Sequence, residues 1–312
     1  MEYDTSTRTF DCAATLTDSD VLRFCREGYL LLPGAVPDAI NRRTLDYLEH
    51  RVEAEPAWIP DGLTADDLEK MRRSTVPSSI LLEPWFIEHV VLNRLLCGVL
   101  RSLLGPHVGL PVHMANHRVE CPNRSLSWHN DGDHVFGPEM NYLEVFYFPQ
   151  DTPTQMGPTE VMPGSHIHRR PADPYEAGVP CEGPAGTFGI HVQSILHRRS
   201  ESTATGVRHM LKFNYWRKVP PRRDWIIEPD FDLQRADYGG HGKARYCAHM
   251  FYWLCGKGEA FRTMGGQAWP WSSRNQIGPS YGFGLAGGYL PDWRRDGSDG
   301  YALPPASQPA SG

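Results

Sequence analysis

Three groups of residues in this chain could do chemistry. In Trp128-His129-Asn130-Asp131-Gly132-Asp133-His134, an extended backbone turns residues i and i+2 to the same side. His129 and Asp131 would then face a common point, with Asn130 turned away. An imidazole and a carboxylate so placed are two of the three ligands of a 2-His-1-carboxylate iron site. The spacing alone does not discriminate. Fourteen histidines and 37 acidic residues in 312 give about 1.7 such pairs by chance, and a polar turn is the competing reading. The second group is Gly186–His197, where His191 and His197 stand in an otherwise apolar run. A histidine in a β core is more often satisfied by a backbone group than by a metal. The third is Arg208, whose guanidinium could grip a carboxylate with two parallel hydrogen bonds. It opens the run Val207–Tyr215, in which Arg208, Met210, Lys212 and Asn214 alternate with His209, Leu211, Phe213 and Tyr215. The competing reading is an ordinary solvent-facing strand.

These residues need elements to position them. Thr17-Asp18-Ser19-Asp20 before Val21, Leu22, Phe24 and Cys25 predicts a capped helix ending near Gly28, followed by a strand at Tyr29–Leu32. A second helix is expected from Pro37 to about Glu53, a short one at Ala65–Ser74, and a long one from Pro84 to Leu104, stopped by Gly105-Pro106. From Val108 to Tyr215 the segments shorten. Strands are expected at Leu143–Phe148, Thr159–Met162, Thr187–His191 and Val207–Tyr215. Ser200–Gly206 reads as a turn, making a hairpin that brings Arg208 back beside His197. A last helix is expected near Ala244–Cys255. The expected organisation is one catalytic domain: a helical part at about 16–106, a β core at 107–215, an extension at 216–303 and a disordered tail at 304–312.

Composition narrows the class. Forty per cent hydrophobic and 22% charged residues suit a chain that buries a core. A net charge of −6 gives no support to nucleic-acid binding, and no apolar run approaches the roughly 18 residues of a membrane span. Met1–Thr17 lacks the apolar core of a secretory signal. Seven cysteines without a C-x-x-C pair argue against a zinc ribbon or disulfide scaffold and fit the cytoplasm.

Taken in order, the segments resemble the phytanoyl-CoA dioxygenase family of Fe(II)/2-oxoglutarate-dependent oxygenases. The resemblance covers about residues 16–215. It rests on Gly28-Tyr29-Leu30-Leu31-Leu32-Pro33-Gly34, on Trp128-His129-Asn130-Asp131-Gly132, on Gly157-Pro158-Thr159-Glu160-Val161-Met162-Pro163-Gly164-Ser165-His166, and on Gly186–His197 with Arg208 eleven residues later. It implies a double-stranded β-helix (jelly-roll) core with N-terminal helices. Its implied metal ligands are His129, Asp131 and His197. Arg208 would pair with the distal carboxylate of 2-oxoglutarate, and Thr159 would also contact that cosubstrate. His191 is the second choice of ligand, because its gap to Arg208 is seventeen residues where the family has about eleven. His166 reads as structural.

The sequence departs from the family pattern at Leu126, where some relatives carry a cosubstrate-binding Gln, and at Arg199, where some carry a small polar residue. The region after Tyr215 has no counterpart in the motifs and would cover or line the substrate site. The implied activity joins Fe(II), 2-oxoglutarate and O2 to oxidise a small-molecule C–H bond in specialised metabolism, giving succinate and CO2. Related halogenases have a small residue in place of the carboxylate, so Asp131 favours hydroxylation, desaturation or ring closure. Trp128, Phe146, Tyr147, Trp216, Trp253 and Trp271 are candidates to wall the pocket, with core packing as the alternative for each. Two other functions compete. One is a zinc or manganese isomerase or hydrolase on the same barrel, which would not need Arg208 and Thr159. The other is a catalytically inactive binding module, against which the complete ligand set argues.

Overall fold

The computed structural model describes residues 8–50, 62, 64–67, 78–111, 114–131, 138–167, 176–233, 236–239 and 241–257. Helix α1 (Asp18–Glu27) starts where the sequence says it should. The Thr17 hydroxyl accepts from Asp20 N, and the Asp20 carboxylate accepts from Thr17 N, a reciprocal cap that satisfies donors a helix start otherwise leaves bare. It ends at Gly28, whose φ of 80° favours glycine. A Cβ there would also lie 2.2 Å from the His166 ring. Strand β1 (Tyr29–Leu32) and helix α2 (Asp38–His50) follow. The inner face of α2 is partly polar. Asn41 and Thr44 are buried beside Leu48, and the buried Tyr147 hydroxyl donates to Asn41 Oδ1 at 2.7 Å.

The expected long helix at Pro84–Leu104 is broken. A helical turn (Pro84–Phe86) and a wide turn (Ile87–Val91) come first. Helix α3 (Arg94–Leu104) then starts afresh because the Asn93 side chain accepts from Leu95 N and Leu96 N. The apolar spacing runs through Asn93 and hides the break, yet Asn is among the best N-cap residues. The expected helix Ala65–Ser74 is helical at 65–67, and its remainder lies outside the described residues, as do Trp271 and the tail. Helix α4 spans His241–Leu254.

The strands after β1 are β2 (Val108–Gly109), β3 (Ala115–Asn116), β4 (Val119–Asn123), β5 (Tyr142–Phe148), β6 (Thr159–Val161), β7 (Val179–Pro180), β8 (Thr187–Val192), β9 (His197–Arg199), β10 (Ser202–Arg208) and β11 (Leu211–Arg217). The major sheet is antiparallel in the order β1-β8-β5-β11-β2, with β3 also on β11. Two smaller sheets, β7-β6-β9 and β10-β4, complete a double-stranded β-helix, the jelly roll. Alternation along the major sheet sorts its two faces. Leu143, Val145, Tyr147, Phe188, Ile190, Leu211, Phe213 and Tyr215 join one cluster with Phe24, Leu96, Leu100 and Phe251 of the helices. Phe146 and Phe148 turn the other way and pack with Val161, Ile195 and Met210. Each such side chain contributes roughly 1.5–3 kcal/mol by leaving water.

Two strand expectations need correction. Val207–Tyr215 is not one strand, since the chain leaves β10 at Arg208 and enters β11 at Leu211 in a different sheet. Ser200–Gly206 is mostly strand rather than turn. Ser202–Arg208 pairs with β4, with an irregularity between Ser202 and Gly206. Its Thr203-Ala204-Thr205 suits a pleated surface, but its small polar residues mimic a loop. The expected hairpin pairing of Arg208 with His197 is therefore absent. Strand β9 pairs with β6, and β10 with β4.

Candidate metal centre

The segment after β4 returns to β9 through an isolated bridge. His129 and His197 exchange backbone hydrogen bonds, N to O at 3.1 Å and 3.0 Å. That bridge sets the two imidazoles side by side, with ring centroids 4.5 Å apart. Each ring is then turned by its own chain. His129 Nδ1 bonds Ser127 O at 2.9 Å, and His197 Nδ1 bonds Ile195 O at 3.1 Å. A carbonyl only accepts, so both Nδ1 atoms carry a hydrogen, and Nε2 is the nitrogen each ring has left for a ligand. The two Nε2 atoms converge on Asp131, at 3.8 Å from Oδ1 for His129 and 3.7 Å from Oδ2 for His197. One ligand atom from each of the three residues lies within 4.8 Å of the others. Among the described residues this is the one His/Cys/Asp/Glu cluster with metal-holding spacing. Two imidazole nitrogens and one carboxylate oxygen fit a divalent iron-type ion with open positions. Burial pushes His197 down to about 4, so it is neutral, as a ligand must be. Burial would raise the Asp131 carboxyl, but the Lys212 ammonium outweighs it and holds the group well below the usual carboxylate range.

The triad opens into a cavity of about 430 Å³ lined also by Thr159, Arg199, Arg208, Phe146 and Lys212. Arg208 is 1% exposed. Its Nη1 donates to Gly157 O at 2.8 Å, while its Nε has no hydrogen-bond partner. Among the described residues no ion pair involves it. Burial, then the like charge of Arg199, lowers it to about 10. A charge buried without its counter-ion is strongly unfavourable, so this guanidinium calls for an anionic ligand. Thr159 is 4% exposed and pairs in register with Arg199. Leu126, at the position of the missing Gln, lines the same cavity.

The sequence of the phytanoyl-CoA dioxygenase (PhyH) family matches residues 24–210, which is more than half of the chain. The chain belongs to the phytanoyl-CoA dioxygenase family. That makes it an oxygenase of the non-haem iron, 2-oxoglutarate-dependent type, and the His-Asp-His cluster fits Fe(II) and that cosubstrate. No curated protein sequence matches it. Several solved structures are similar to it at low identity. A non-heme monooxygenase, ThoJ in its nickel complex, is 19% identical over 74% of this chain and 100% of that chain, with a TM-score of 0.49. The alpha-ketoglutarate-dependent epimerase SnoN from nogalamycin biosynthesis is 15% identical over 67% and 94%, with a TM-score of 0.48. HygX from Streptomyces hygroscopicus, with nickel and 2-oxoglutarate bound, is 15% identical over 68% and 90%, with a TM-score of 0.49.

His191, the second choice of ligand, lies outside the triad. It sits on β8 with its ring 5.4 Å from that of His197, and its Nε2 is 3.6 Å from Glu144. His166 is buried with Nε2 bonded to Cys25 O at 3.1 Å, a structural tie. Of the candidate aromatic walls, Phe146 lines the cavity. Trp128 packs with Met162 and Leu196 under Arg198, Tyr147 is core, and Trp253 lies beneath Arg217. Trp216 packs against Gly109. Sequence reasoning placed Lys212 on the Arg208 face but gave it no role, and did not mark Glu144. Nothing local marks either one, since Lys212 reaches Asp131 across 81 residues. Among the described residues no helix is long and apolar enough to cross a membrane.

Proposed function

We propose that the protein is an Fe(II)/2-oxoglutarate-dependent dioxygenase that hydroxylates, desaturates or cyclises an unactivated C–H position of a small molecule in specialised metabolism. His129 Nε2, His197 Nε2 and an Asp131 oxygen would hold the metal. Arg208 takes the distal carboxylate of 2-oxoglutarate, with Thr159 beside it. The bound iron and cosubstrate supply the oxidising power, using O2 and releasing succinate and CO2. The chain's own residues orient and enclose. The Ser127 and Ile195 carbonyls aim the two imidazoles, the small sheets bury Arg208, and Phe146 presents an apolar wall to the cavity.

The observation that carries this reading is the buried Arg208 facing the same cavity as the triad. A zinc or manganese hydrolase has no use for an unpaired buried guanidinium there, and a chain that had lost catalysis would not need all three ligands. The presence of the Asp131 carboxylate favours C–H oxidation over halogenation. The test is succinate release from 2-oxoglutarate with Fe(II), ascorbate and O2, run across a panel of small molecules. Basal release that rises with one compound class, and disappears in Asp131→Ala, is expected. A wild-type protein that releases no succinate under any condition would refute the reading.

A further inference from the structure

Asp131 lies two residues past the His129–His197 bridge and outside any strand. What grips its carboxylate comes from the far wall of the cavity. Lys212, on β11 opposite Phe146 of β5, contacts Asp131 Oδ2 with its ammonium. The same ammonium is 3.0 Å from Glu144 Oε1. Glu144 is 1% exposed and stands opposite His191 on β8. Asp131, Lys212 and Glu144 thus run acid, base, acid from the metal centre to the middle of the major sheet.

We propose that Lys212, anchored by Glu144, is a positioning residue for the metal ligand Asp131. Its ammonium takes Oδ2, so that the carboxylate offers the metal Oδ1 alone. The inference rests on the metal-site reading above. Its physical basis is that a carboxylate has two oxygens of similar basicity. Ligation through both would occupy a position that a 2-His-1-carboxylate centre must leave open. A cation fixed on one oxygen removes that option. Glu144 is needed because an unanchored ammonium would compete with the metal for the whole carboxylate, whereas one shared between two acids stays where the sheet places it. A purely structural alternative is that Lys212 only neutralises the buried Glu144.

The double variant Lys212→Met with Glu144→Gln separates the two. Burial pushes the Glu144 carboxyl up to about 7, so at about pH 8 the double variant removes one positive and one negative charge together, the net charge near the metal is unchanged, and a change in metal binding reports position. Mn(II) alone is the probe, titrated into metal-free protein by calorimetry, with the metal-free melting temperature as the check on folding. The expected result is a roughly 10–100-fold loss of Mn(II) affinity in the folded double variant, the range seen when residues behind metal ligands are removed. Water-proton relaxation of the bound Mn(II) should also fall by roughly a third, because the freed oxygen displaces one of three open-position waters. Lys212→Arg, which keeps a cation on Oδ2, should recover most of both and serves if the double variant does not fold. A structural role would lower the melting temperature and leave both readouts unmoved. Wild-type affinity and relaxation in the folded double variant, or in Lys212→Gln, would overturn the proposal. Wild-type protein that binds no Mn(II) would overturn the metal-site reading itself.

Discussion

Arg208 and Arg217 are both largely buried arginines at opposite ends of one stretch of chain, and they differ in what they touch. Arg217 donates to the carbonyls of Leu103, Leu104 and Met140 and lies over Trp253, so it closes the C-terminal end of α3. Arg208 has Gly157 O and the cavity. The account therefore predicts that Arg208→Lys, which keeps the charge and loses the planar fork, weakens 2-oxoglutarate binding. The loss should be on the order of tenfold or more, about 1.5–3 kcal/mol for a hydrogen bond to a charged group, as read by calorimetry on the Ni(II)-loaded protein. Mn(II) affinity should stay unchanged, since Arg208 touches no ligand. How much of the site was legible in sequence follows from locality. His129 and Asp131 are two residues apart, so their convergence is a property of extended backbone. The choice between His197 and His191 came from the family's gap to Arg208, and the aim of each ring explains the outcome. His197 is turned by Ile195 O toward Asp131, while His191 faces Glu144. The contact of Lys212 with Asp131 spans 81 residues, and nothing local announces it.

At the scale of elements, termini were read best where a side chain caps its own helix. Thr17, Asp20 and Gly28 bound α1 as the sequence says. Asn93 does the same for α3, but it lies within an apolar-periodic run that hid the break. Asn93→Ala should then cost about 1 kcal/mol, within the range for lost N-caps, visible as a lower denaturant midpoint with unchanged slope. Gly28→Ala should be worse, about 2 kcal/mol or more, because strained backbone and the approach to the His166 ring add together. The β10 strand was missed for a different reason. Its Ser, Thr, Ala and Gly have the composition of a loop, and its pairing with β4 is tertiary information. The consequence for the site is real. Because β9 and β10 join different sheets, Arg208 reaches the cavity from the β10-β4 pair rather than from a hairpin with the ligand strand.

Over the whole molecule, a net charge of −6 says little about the site. The cavity is lined by Arg118, Arg199, Arg208 and Lys212 against Asp131, a local excess of positive charge in an acidic chain. Two buried histidines also tie global stability to pH. Burial pushes His191 down to about 3 and His197 to about 4, so the folded chain holds those protons more weakly than the unfolded one, whose histidines titrate near 6.5. As pH falls below about 6.5 the unfolded state gains protons that the folded state cannot, and stability is lost from there down toward pH 3. The slope is about 1.4 kcal/mol per pH unit for each such histidine. Burial also pushes the Glu144 carboxyl up to about 7, which offsets one histidine's slope down to the ordinary carboxylate range at about 4.3. Metal-free melting temperatures should thus fall below about pH 6.5, more steeply below about 4.3, with a shallower fall in His191→Gln. The central claim is that one cavity joins a three-ligand iron site to an arginine that seizes the cosubstrate's far carboxylate. The most direct measurement is anaerobic titration of the Fe(II)-loaded protein with 2-oxoglutarate, following the visible metal-to-ligand charge-transfer band of the chelate. The account predicts a saturable band in the wild type, loss of iron and band together in His197→Ala, and retention of iron with a weakened band in Arg208→Ala. Iron binding without any band in the wild type, or a band indifferent to Arg208, would contradict it.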